Sequence, residues 1–96
     1  MTSKQRAYLK GLAMTLDPVT QIGKDGLSDA LILSLDQALE KRELIKLSAL
    51  QTSPILARDA APLLEEALHC QIVQVIGNRI VLYRIKRKKP KLELPK

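Results

Sequence analysis

The chain has 96 residues, 46% of them apolar, and a formal net charge of +6. This is enough for one folded domain and too apolar for a disordered chain, while no apolar run approaches the roughly 18 residues of a membrane span. With one cysteine and one histidine, an internal disulfide and a tetrahedral Cys/His metal site are both excluded.

The N-terminal MTSKQRAY lacks the apolar stretch of a signal peptide, so a cytoplasmic location is expected. Thr2 and Gln5 have the spacing of a capping box, and Leu9, Leu12, Ala13 and Leu16 follow helical periodicity. Asp17-Pro18 stops that helix, because the residue before proline is pushed out of the α region. Val19 to Ile22 reads as a short strand, and Gly23 to Gly26 as a loop. Ser28 is a good N-cap for a second helix, whose buried stripe is Leu31, Leu35, Ala38 and Leu39. Asp29 suits the positive end of its dipole, and Lys41 and Arg42 suit the negative end.

Leu44 to Leu50 reads as a strand. Ser53-Pro54 is expected to open a third helix, with proline at the first helical position. Pro62 predicts a kink or break there, since an internal proline removes a hydrogen bond and clashes with the preceding turn. Ile72 to Ile76 and Ile80 to Ile85 are β-branched runs, split by Gly77-Asn78-Arg79. That reads as a hairpin, with glycine and asparagine tolerating positive φ. The expected fold class is α/β, an α-β-α-β-α-β-β sandwich with a mixed four-stranded sheet. Residues 1–85 form the single domain. Residues 86–96, KRKKPKLELPK, read as a flexible basic tail.

Charge is unevenly placed. Residues 86–96 hold six basic groups against Glu93, whereas residues 1–85 hold ten basic against nine acidic. The segment before residue 25 is basic and the middle is acidic, a polarity that points to a polyanion if the basic ends meet in space. No catalytic motif is present, and the loop matches neither the P-loop nor the dinucleotide fingerprint, so an enzyme is not expected. Two tyrosines cannot supply the aromatic platform of an RRM, which leaves the phosphate backbone as the contact.

The stretch GKDG admits two readings. Glycines let a strand turn into a helix within a few residues. The same glycines let a phosphate approach backbone N–H groups, with Lys24 adding charge, as in a GXXG nucleotide clamp. Asp25 opposes that second reading. Among the other bases, Arg6 and Lys10 are four apart and share a helix face. Lys46 and Arg84 alternate away from aliphatic neighbours, and Arg79 lies at the hairpin turn.

Residues 3–28, SKQRAYLKGLAMTLDPVTQIGKDGLS, resemble a family pattern LTxKQRxxLrxLAxxLdPixqIGKxGls. RELIKL (42–47) and VQVIGNRIVLYR (73–84) extend the likeness. The resemblance is to the CRM domain (chloroplast RNA splicing and ribosome maturation), specifically its stand-alone bacterial YhbY-like proteins. It implies a fold similar to the C-terminal domain of translation initiation factor three. It also implies binding to RNA, namely ribosomal RNA or precursors of the large ribosomal subunit. The family's loop maps onto Gly23, Lys24, Asp25 and Gly26, and its basic first helix onto Lys4, Arg6 and Lys10. Arg84 and the tail bases Lys86, Arg87, Lys88 and Lys89 complete the expected RNA-binding set. Asp25 departs from the family's small or neutral residue, and Pro62 interrupts a helix that is usually continuous. No cofactor, metal or membrane contact is expected, and the chain is taken as a monomer. A protein–protein adaptor docking through the acidic middle segment is the alternative.

Overall fold

The computed structural model describes residues 1–85. The elements are α1 (Ser3–Ala13), β1 (Thr20–Ile22), α2 (Asp29–Arg42), β2 (Leu44–Ala49), α3 (Ala57–Leu68), β3 (Gln71–Ile76) and β4 (Arg79–Tyr83). They form one four-stranded sheet in the order β1-β2-β4-β3. β1 runs parallel to β2, while β4 is antiparallel to both β2 and β3. The mixed four-stranded sheet expected from the sequence is therefore present.

Strand alternation divides the core in two. Ile45, Leu47, Ile80 and Leu82 point to one face and pack with α2 and α3. Leu44, Val73, Val81 and Tyr83 point to the other and pack with Leu9 and Ala13 of α1. All six residues of β2 are buried, as expected for a central strand covered on both faces.

The capping box forms in both directions: the Gln5 N–H donates to Thr2 Oγ1, and the Thr2 N–H to Gln5 Oε1. The Ser28 hydroxyl accepts from the Leu31 N–H as an N-cap should. α1 ends at Ala13, before the Asp17-Pro18 stop. The Thr15 hydroxyl donates to the Leu12 carbonyl there, and the chain leaves through turn-like bonds from Thr15 and Leu16. In the β3–β4 turn only Gly77 has positive φ, at 55°, the pattern of a type II′ hairpin. Asn78 serves differently from expectation: its Nδ2 donates to the Ala49 carbonyl, and its own carbonyl accepts from the Ala49 N–H.

One expectation about the third helix is corrected and another narrowed. Ser53-Pro54 does not open it. The Ser53 hydroxyl instead closes a local turn with both N–H and carbonyl of Ile55, and α3 starts at Ala57 with Leu56 as a cap that makes no side-chain bond. Nor does the helix break at Pro62, which lies inside an unbroken Ala57–Leu68. The later start puts the proline in the second turn on the exposed face. The carbonyl it leaves without its helical partner is that of Arg58, itself an exposed residue. The buried stripe is Ala57, Ala60, Ala61, Leu64 and Leu68, while Leu63 is exposed.

Candidate nucleic-acid interface

The register of the sheet gathers several segments at one end. β1 and β2 finish there, β3 turns into β4, and the loops into α2 and α3 begin there. The GKDG loop follows directly from Ile22. It is a tight turn in which the Gly26 N–H donates to the Gly23 carbonyl at 3.0 Å, with Lys24 and Asp25 exposed at the two central positions. Among the described residues no backbone hydrogen bond uses the N–H of Lys24 or Asp25. Gly26 has φ of +64° and faces Pro54, so it is needed for the turn itself; Gly23 has open space around it. Asp29, in the first turn of α2, already complements the positive end of that dipole. The loop therefore offers Lys24 and its own amides rather than the helix terminus.

On the α1 side of the sheet two cross-strand rows run to this end. One is Lys46–Val81–Gln74 and the next is Ser48–Arg79–Ile76, the latter extended by Gln21 of β1. Lys10, Ala13 and Met14 at the C-terminal end of α1 wall these rows, enclosing a cleft of ≈ 250 Å³. Three cations line the cleft and no carboxylate does. Round the hairpin turn a second concavity, ≈ 610 Å³, carries Arg58 between the turn and the 50–57 loop. Among the described residues the side chains of Lys10, Lys24, Lys46, Arg58 and Arg79 form no ion pair.

The remaining residues of the expected set are placed elsewhere. Arg6 Nη1 donates to the Ile72 and Val73 carbonyls, both at 2.7 Å. It meets them where the β3–β4 register slips between Ile72 and Gln74, and such a bulge leaves backbone groups in need of partners. Lys4 is exposed on the first turn of α1, about 9 Å along the axis from Lys10 and not on its face, so the first helix does not present one basic stripe. Arg84 lies past the opposite end of β4. Its Nη1 pairs with Asp36 at 2.7 Å and donates to the Leu68 carbonyl at 2.8 Å, while Nη2 donates to the Asp36 carbonyl and pairs with Glu40 at 3.2 Å. That guanidinium joins α2, α3 and β4, away from the end of the sheet where Lys46 and Arg79 lie. Lys86, Arg87, Lys88 and Lys89 lie outside the described residues.

Lys46 and Arg79 carry more weight here than single-residue reading gives them, and Arg58 and Gln74 escape that reading altogether. The available signal is a lysine in the middle of LIKLSAL, combined with the register that the hairpin imposes. Among the described residues no group of His, Cys, Asp or Glu side chains could hold a metal ion, and no helix is long and apolar enough to cross a membrane.

The sequence pattern of the CRS1 / YhbY (CRM) domain matches residues 1–84. The chain is similar to "Probable RNA-binding protein YqeI" of Bacillus subtilis, 42% identical over 95 residues, covering 99% of both chains. It is also similar to an "RNA-binding protein" of Haemophilus influenzae, 33% identical over 100 residues, covering 100% of this chain and 96% of the relative. The solution structure of the hypothetical protein SAV1595 from Staphylococcus aureus superposes with a TM-score of 0.82 at 43% identity, over 99% of each chain.

Proposed function

The chain belongs to the CRS1 / YhbY (CRM) domain family, and from that premise we propose that it is an RNA-binding protein acting on ribosomal RNA during assembly of the large ribosomal subunit. The observation that carries the RNA reading is the group of cations at one end of the sheet that have no ion-pair partner among the described residues: Lys10, Lys24, Lys46, Arg58 and Arg79. Cations gathered at one end of a sheet attract a phosphate backbone. Relatives named as RNA-binding proteins support it. The ribosomal target is drawn from the family resemblance.

The mechanism is binding, not catalysis. Phosphates are held by Lys24 and the open loop amides, and by the cations along the two sheet rows. Crosslinking in cells, with the attached RNA sequenced, tests this reading. Crosslinks concentrated in large-subunit ribosomal RNA are expected. Partners that survive ribonuclease digestion, with no RNA crosslinked, would replace it with the adaptor reading.

A further inference from the structure

The cleft between α1 and the sheet holds an unexplained lysine. Lys46 is 8% exposed, on a central strand, with no carboxylate to pair it among the described residues. Its stem is packed in the sheet, while its ammonium is not among the buried polar atoms left without a partner, so the charged end reaches the surface. Lys46 lines the ≈ 250 Å³ cleft together with Lys10 and Arg79.

The rest of the lining is of another kind. Ala13, Met14, Ile76 and Val81 make an apolar wall, with Met14 82% and Ile76 61% exposed. Gln74 places an amide beside Val81, in the row that Lys46 begins. An apolar wall, one amide and three cations match the three parts of a nucleotide: a ring face, a base edge and a phosphate. The volume lies below the roughly 300–1,000 Å³ of sites for drug-sized ligands, which suits a single ring system.

We propose that this cleft is a nucleotide pocket, taking one unstacked base of a single-stranded RNA segment against Met14 and Ile76 while Lys10, Lys46 and Arg79 hold its phosphate. The proposal rests on the RNA-binding reading above and adds to it a site separate from the GKDG loop. The pocket makes single-stranded segments, whose bases can be splayed out, the preferred substrate over a continuous duplex.

The test titrates a short single-stranded RNA of mixed sequence into the wild-type chain and into Lys46→Met, Arg79→Gln and Gly23→Ala. The methyl NMR signals of Ala13, Met14, Ile76 and Val81 are followed throughout. Lys46→Met, which keeps a packed stem, is expected to unfold at about the same denaturant concentration, while binding RNA roughly tenfold more weakly with a salt slope shallower by about 0.7. Arg79→Gln, at an exposed position, is expected to weaken binding likewise without involving the core. The methyl signals should move with the RNA and stay in place with the same length of abasic backbone. Unchanged affinity in both variants with unmoved methyls, while Gly23→Ala weakens binding, would overturn the pocket and leave the RNA reading standing. No binding by the wild-type chain at low salt would overturn both. Methyl signals that respond to an acidic peptide and not to RNA would assign the cleft to a protein partner and overturn the proposal.

Discussion

A methyl group added at Gly23 meets nothing within 4 Å, whereas one at Gly26 lies 3.2 Å from Pro54 Cγ on a backbone with φ of +64°. The two glycines of one motif are thus separable by experiment. Gly26→Ala is expected to destabilise the fold by about 1–2 kcal/mol from the left-handed backbone alone, read as a lowered urea midpoint. Gly23→Ala is expected to leave stability unchanged or raise it by at most about 1 kcal/mol, read from the same midpoint. It should still weaken RNA binding about tenfold, the worth of one charge-assisted hydrogen bond of about 1.5 kcal/mol. Equal affinity for wild type and Gly23→Ala would remove the loop amides from the interface. Cys70 gives a second prediction at this scale. Burial, and secondarily Glu65, pushes its thiol up from 9.0 to about 11. Because the folded value is the higher one, the associated stability is complete below pH 9 and is lost as pH rises through about 11. Urea midpoints should therefore fall across that interval, and less steeply in Cys70→Ala. At neutral pH the native thiol should resist alkylation that the unfolded chain accepts.

The helix from Ala57 to Leu68 illustrates how one element is placed by competing local signals. Serine-proline before a helical stripe marks a start equally well at Ser53 and a few residues later. The hydroxyl decided it by bonding Ile55 at both N–H and carbonyl, and Pro54 became the surface against which Gly26 packs. Pro62 then fell in the second turn on the solvent side, where its lost bond is tolerated rather than disruptive. Pro62→Ala should restore the bond to the Arg58 carbonyl and stabilise the chain by about 1–2 kcal/mol net of the unfolded-state entropy that proline removes. In a thermal melt that is a rise of about 4–8 °C per kcal/mol. No rise would mean that the helix already accommodates the proline at no cost. The strands, by contrast, were legible almost to the residue, because β-branched runs bounded by glycine or by a helix cap leave few alternatives. The same holds for the caps at Thr2 and Ser28, where the hydrogen bond follows from the residue type.

At the scale of the molecule, the sequence reading separates basic segments and leaves open whether they meet. They meet in part. Lys10 and Lys24 reach the same end of the sheet as Lys46 and Arg79, but Arg6 turns inward to a bulge and Arg84 closes the opposite end with Asp36 and Glu40. Strand order explains the difference. The pairing of Lys46 with Val81 and of Ser48 with Arg79 requires β4 to lie beside β2, and nothing in the alternation of either strand dictates that neighbour. Arg79 and Arg84 carry the same charge and lie at the two ends of one strand. Only the sheet puts one among carboxylates and the other in a cleft without any.

The most direct test of this basic end is the salt dependence of RNA affinity for the full chain. Four phosphate contacts through Lys10, Lys24, Lys46 and Arg79, at about 0.7 per contact for a single strand, predict a loss of affinity of about 50-fold or more between about 50 and 200 mM salt. An affinity that stays level across that range would contradict the account, because no phosphate-bound complex can ignore the counterions it releases.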